Sequence, residues 1–201
     1  VLKELMEDHG NVVFSGDGYS AEWHEMAVSE RGLKNIPTTA DALPALREAS
    51  VKKLFESAGV LTPVELESRF EVYAEQYILS IDVEAKLVVD IAKTRIYPAA
   101  IHYLSDLAKT SESLAAMGIE LDSSTATVVA NEINAMMSAV AELIDAMGKH
   151  DFTSIEEHMH FCANEIRSLM DKVRLHADIL ETEVADELWP LPKYQEMLFI
   201  R

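Results

Sequence analysis

Thr62-Pro63-Val64-Glu65-Leu66-Glu67-Ser68-Arg69-Phe70 opens the stretch that decides this fold, which continues to about Thr110. Thr62 can cap the first free N–H groups of a helix. Pro63 suits the first helical position, where a missing N–H costs nothing, and Glu65 stands three residues after the cap, placed to close a capping box. No glycine follows until Gly118. At ~1.5 Å per residue such a helix spans roughly 70 Å. It is too long to be buried by itself, so other elements must lie along it.

Phe70, Tyr73, Tyr77, Ile81, Glu84, Val88, Ile91 and Arg95 alternate steps of three and four along this stretch. A period of about 3.5 residues is the seam of a helix packed lengthwise on others. Glu84 and Arg95 are charged, so either they lie at the edge of the seam with their stems buried, or they make buried polar contacts that set the register. Pro98 removes a backbone bond and presses on the preceding turn, which predicts a kink near Thr94–Pro98.

The rest of the chain reads as shorter pieces followed by two more long helices. Val1–Asp8 is an amphipathic helical pattern stopped by Gly10, and Asn11-Val12-Val13-Phe14-Ser15 is a β-like run before the Gly16-Asp17-Gly18 turn. Ser20 caps Ala21–Arg31, and Gly32 ends that helix. Thr39 can cap a short helix through Leu43, Pro44 bends or restarts it, and Arg47–Ala58 continues to Gly59. After a connector containing Gly118, Asp122, Ser123 and Ser124 offer caps for a second long helix ending at Met147, with the seam Val129, Ile133, Met136, Val140, Leu143, Met147. The link Lys149–Phe152 is short enough for an antiparallel return. Thr153-Ser154-Ile155-Glu156 reads as a second capping box. The third long helix carries Ile155, Met159, Cys162, Ile166, Leu169, Val173, His176 and Leu180, and Trp189-Pro190-Leu191-Pro192 stops it. Three helices of one period with tight ends predict an all-α, antiparallel three-helix bundle, the first helix kinked at Pro98, with the short-helix and β-like N-terminal segment packed on it. The boundary falls at 61/62: residues 1–61 are short helices and turns, and residues 62–201 are the bundle. The apolar tail end, Met197-Leu198-Phe199-Ile200, should dock rather than hang in water.

Composition narrows the function classes. The chain has 201 residues, with 17 Lys and Arg against 35 Asp and Glu, a net charge of −18. That charge argues against a nucleic-acid backbone or an anionic membrane as partner. A single cysteine permits no internal disulfide and points to a cytoplasmic setting. No apolar run approaches the ~20 residues of a membrane span, and no signal peptide is visible. The chain has no initiator methionine and starts inside a helical pattern, which suggests a piece of something longer.

Candidate chemistry is sparse. Gly16-Asp17-Gly18 lacks the Gly-Lys-Ser/Thr of a phosphate loop and the third glycine of a dinucleotide fingerprint, so it reads as a turn. Glu157 and His160 form a single Glu-x-x-His, whereas a di-metal bundle needs that pair on two helices. Cys162 and His176 sit on a seam, where a buried thiol and a partnered core histidine are expected. Met136, Met137, Met147, Met159 and Met170 read as core filling, or alternatively as a partner-binding stripe. No catalytic, cofactor-binding or metal-binding residue is assigned.

Two stretches are more specific than generic helices: Val13-Phe14-Ser15-Gly16-Asp17-Gly18-Tyr19-Ser20-Ala21-Glu22-Trp23 with Arg31-Gly32-Leu33-Lys34-Asn35, and Leu188-Trp189-Pro190-Leu191-Pro192-Lys193-Tyr194-Gln195-Glu196-Met197-Leu198-Phe199-Ile200. Together they resemble the C-terminal region of type III glutamine synthetases. Glu84-Ala85-Lys86 through Ile96-Tyr97-Pro98-Ala99 is similar to the same family. The resemblance covers nearly the whole chain, and its departures are small: an acidic residue is expected where Met26 stands, and asparagine more often than Ser15.

The resemblance implies a parent enzyme that joins ammonia to glutamate with ATP and divalent metal, Mg or Mn. The metal-binding glutamates and substrate-binding arginines of that family lie in a catalytic barrel upstream, so no catalytic residue carries over. The chain would be a helical structural and assembly domain of a ring-shaped homo-oligomer, with residues 1–61 linking from the barrel. Tyr19, Trp23, Trp189 and Tyr194 are the residues expected to fasten it to its surroundings, because aromatic groups bury large area. The alternatives are a stand-alone acidic bundle that binds a partner protein, and a carboxylate-bridged metal enzyme.

Overall fold

The computed structural model describes residues 1–10, 13 and 16–198. Among them the regular elements are all helical, in agreement with the all-α expectation. The β-like run expected at Asn11–Ser15 lies outside the described residues except for Val13, which is exposed. Phe199 and Ile200 of the apolar tail lie outside them too, while Met197 and Leu198 are exposed. The chain divides into two compact units, Val1–Thr38 and Thr39–Arg201.

The first unit holds α1 (Leu2–His9) and α2 (Ala21–Ser29). Asp17 makes the turn before α2, its carboxylate accepting from the Tyr19 N–H at 2.9 Å. The Ser20 hydroxyl then caps α2 by accepting from the Trp23 N–H at 3.2 Å.

The second unit begins with α3 (Thr39–Ala42), a 3-10 turn at Leu43–Arg47 and α4 (Ala49–Ser57). Pro44 stands at the start of the 3-10 turn. These pieces lie on the first long helix, α5 (Pro63–Ile91): Ala40, Phe70, Ala74 and Met159 share one buried cluster, with Leu43 and Leu46 against it. The expected capping box is present, since the Thr62 hydroxyl accepts from the Glu65 N–H while Glu65 accepts from the Thr62 N–H.

A π turn, Ala92–Ile96, interrupts the helix before it continues as α6 (Tyr97–Ala116). The Tyr97 N–H bonds to the Ala92 carbonyl, five residues back. Pro98 brings no N–H and crowds the Thr94 carbonyl, and widening the ladder by one residue just before it makes room for the ring. The helix therefore meets its proline with a π turn rather than a break.

Two further long passes follow this first one. The second is α7 (Ser124–Met147), and the third is α8 (Ile155–Phe161), a π turn at Cys162–Ile166 and α9 (Arg167–Glu183). Lys172 reaches Glu142 at 2.7 Å and His176 reaches Glu132 at 2.7 Å. Partner numbers fall on one helix as they rise on the other, so α7 and α9 run antiparallel. The second π turn has no proline after it, and the Ser168 hydroxyl donates to the Asn164 carbonyl inside it at 2.5 Å. A 3-10 turn, Asp186–Leu188, and α10 (Tyr194–Leu198) finish the described chain.

The seam of the second helix follows its sequence pattern, with Val129, Ile133, Met136, Val140 and Leu143 buried and Met147 against the cluster. The seam of the first helix differs. Ala74, Ala85, Ala92, Ile96 and Ala100 are buried beside Phe70 and Ile81, whereas Tyr73, Glu84 and Arg95 face solvent. Glu84 and Arg95 are both exposed, so the reading that they make buried polar contacts does not hold. Alanine lets helix backbones approach closely, and the seam already departs from the expected positions at Ala74 and Ala85, before the π turn.

The cap of the third helix is also shifted by one residue from its expected place. Ser154, not Thr153, accepts from the Glu157 N–H, at 3.1 Å. Glu157 rather than Glu156 reaches back, accepting from the Thr153 N–H at 2.8 Å and its hydroxyl at 2.6 Å.

Candidate functional site

In the second unit a half-open groove of about 460 Å³ lies between α5, the end of α7 and α8. Its floor is apolar: Ile78, Ile81 and Ala85 from α5, Met147 from α7, and Phe161 and Ile166 from the third helix. Those positions follow from helical spacing, since each lies on the side of its helix that turns toward the core. The rim carries Glu75, Asp82, Lys86, Lys149, His150 and His158.

Several polar groups of this groove are engaged with neighbours. Burial pushes the Cys162 thiol up to about 11, with Asp82 adding to the rise, so it stays protonated at neutral pH. Burial, and next the nearby His150, lowers the pKa of His158. The His158 ring stacks on Phe152 with centroids 4.1 Å apart. Asp82 is paired with Lys86 at 2.6 Å, and the Lys149 ammonium sits 5.4 Å above the Phe161 ring. The Cys162 thiol is thus protonated at neutral pH and Asp82 is ion-paired, so neither is an activated nucleophile.

Other candidates from the sequence resolve into structural partners. His176 shares a hydrogen bond with Glu132 at 2.7 Å, the partnered core histidine expected. Glu157 is engaged at the cap described above, where the Thr153 hydroxyl and then its N–H lower its pKa. His160 lies 3.7 Å from Asp41. Among the described residues no three His, Cys, Asp or Glu side chains gather as a cation site. Met136 and Met159 are fully buried, and Met137, Met147 and Met170 pack on the main cluster, so the methionines fill core.

The four aromatic residues expected to fasten the domain occupy different settings. Tyr19 is 94% exposed and Tyr194 87%. Trp23 is half-buried, with the Arg31 guanidinium 5.5 Å from its ring centroid. It borders a hollow of about 180 Å³ in the first unit with Ala27, Leu33 and Lys34. Trp189 packs against the main cluster of the second unit. Its indole N–H is shut from solvent with no hydrogen-bond partner among the described residues.

Two features escaped the sequence reading. Arg47 bonds Glu67 at 2.8 Å and Glu156 at 2.6 Å with its guanidinium 4.8 Å above Phe70. The second is an exposed apolar line on α5, through Val72, Leu79, Val83 and Leu87. The signal for it was present as a second run of apolar residues at helical spacing, hidden because the stretch is rich in them.

Against known proteins, the family described as the glutamine synthetase C-terminal domain matches residues 1–115. A type-3 glutamine synthetase from Dictyostelium discoideum is 35% identical over 210 residues, covering 100% of this chain and 28% of that protein. A glutamine synthetase from Bacteroides fragilis is 30% identical over 210 residues, covering 100% of this chain and 29% of that protein. One from Butyrivibrio fibrisolvens is 28% identical over 207 residues, covering 99% of this chain and 29% of that protein. The chain thus spans under a third of the length of each of these relatives.

Proposed function

Because the chain belongs to the glutamine synthetase C-terminal domain family, we propose that it is the structural and assembly domain of a type III glutamine synthetase. The parent joins ammonia to glutamate at the expense of ATP, with Mg or Mn, in the cytoplasm, as a ring-shaped homo-oligomer. One observation carries this reading: the likeness to the type-3 enzyme runs the whole length of this chain yet takes up only 28% of that protein. The catalytic groups then belong to the remaining part.

Within this reading residues 1–61 lead from the catalytic part and residues 62–201 form the bundle. Tyr19 and Tyr194, which stand in solvent here, meet the rest of the parent, while Trp23 and Trp189 brace the segments that carry them.

The test is made on the whole protein. Glutamine formation from glutamate, ammonia and ATP is assayed with Mg present, and the mass of the complex is measured by light scattering, for the intact enzyme and for one cut before Thr39. The expected result is an active ring for the intact enzyme and smaller, less active particles for the cut one. An unchanged mass and activity after the cut would reject the assembly role, and absence of ligase activity in the intact protein would reject the parent assignment.

A further inference from the structure

The exposed line on α5 has a composition suited to one kind of occupant. Val72, Leu79, Val83 and Leu87 are 57, 55, 47 and 53% exposed. At ~100° per residue they lie within roughly 40° of the direction of Val83, on the side of the helix opposite the buried Ala74 and Ile81. One flank of this line carries, in order, Glu75, Asp82, Lys86 and Lys93. Acids come first and bases last, and the flank is neutral in a chain whose net charge is −18.

We propose that this face pairs with the same face of a second copy of the chain, antiparallel, about a two-fold axis at Val83. A two-fold contact uses one patch twice, so the patch must complement itself. In an antiparallel helix pair the same flank meets the same flank. Glu75 then faces a position two residues from the partner's Lys93, and Asp82 a position two residues from the partner's Lys86, both within reach of the long lysine side chains, each pairing occurring twice by symmetry. In the apolar line Val83 meets the partner's Val83 and Leu79 meets the partner's Leu87. Gln76 and the partner's Asp90 meet as donor and acceptor.

Charge order selects this occupant over others. A parallel pair would instead set this flank against the partner's opposite flank, which carries Tyr73, Ser80 and Glu84 and offers no base to Glu75 or Asp82. A strongly basic partner would gain from the overall charge but would meet Lys86 and Lys93 on this flank. A charge-balanced flank that complements itself also lets two chains of high like charge approach with less repulsion. The pairing deepens the assembly reading above, which it needs only for its role in the parent.

The test uses Val83→Cys in the chain and in the whole protein that carries it. Under mild oxidation the two-fold axis brings the two new thiols together, so a disulfide-linked dimer is expected, mapped by peptide mass to position 83 on both sides. The buried Cys162 stays out of the reaction, and Val128→Cys on α7 serves as the control that does not link. Lys86→Glu should weaken dimerisation roughly tenfold or more by setting like charges together, and adding Asp82→Lys should restore it. A folded Val83→Cys protein that links no better than the control overturns the proposal, as does a dimer indifferent to Lys86→Glu. Such a failure leaves the assembly role standing if the enzyme cut before Thr39 still loses its ring.

Discussion

Arg47 donates to Glu156 at 2.6 Å, across 109 residues of sequence. The same guanidinium bonds Glu67, at the start of the first long helix, so one side chain holds the N-terminal ends of the first and third helices together. Lys52 reaches Glu67 as well, at 2.9 Å. Arg47→Leu keeps an apolar stem over Phe70 and removes the bridge. Its sites are partly open to solvent, so a melting-temperature drop on the order of 2–4 °C is expected, smaller at high salt. Calorimetry at two salt concentrations reads it, and a drop that does not shrink with salt would show that packing, not charge, holds Arg47.

Leu143 is fully buried on α7 among the main cluster. Leu143→Ala should cost about 2–5 kcal/mol, lost transfer energy plus the cavity left behind. Urea unfolding measures this directly, with Leu175→Ala, at a position 58% exposed, expected to change little.

The cap of the third helix makes a prediction about register. Ser154→Ala removes the acceptor for the Glu157 N–H and should cost about 1 kcal/mol. Thr153→Ala removes only the hydroxyl contact to Glu157 and should cost less. The reverse order in chemical denaturation would place the cap at Thr153.

Acid stability should fall in two windows. His158 has its pKa lowered from 6.5, mainly by burial. The fold favours its neutral form, so its contribution is complete above about 6.5 and is lost as pH falls toward the folded value. Glu157 and Glu65 are lowered from 4.5 by hydrogen bonds at their caps. Their contribution is present above 4.5 and is lost as pH falls through their folded values. His158→Phe, which keeps a ring on Phe152, should flatten the upper window alone, and Glu157→Gln should reduce the lower one. Melting temperature against pH for the three proteins decides between these outcomes.

Cys162, pushed up to about 11 by burial, should alkylate slowly at pH 8 in the native protein and quickly once unfolded. Rapid labelling without denaturant would show that the groove opens.

The class, most helix starts and two of the three seams were legible in the sequence because each depends on few residues, although the first long helix runs to Ala116, past the expected Thr110. Thr62 with Glu65 makes a cap wherever it stands, Gly59 and Gly118 adopt φ of 65° and 77° that other residues resist, and apolar spacing on α7 and α9 leaves one face to bury. The tertiary structure alone decided the rest. Tyr73 and Ala74 are neighbours that both fit a helical seam, and Ala74 is inside because close backbone approach favours the small side chain when three helices meet. The π turn at Cys162–Ile166 has no proline to announce it, and Arg47 finds Glu67 and Glu156 only after α3, α5 and α8 have come together. A cap is settled within one turn of chain, whereas a seam, a widened turn or a bridging arginine answers to several helices at once.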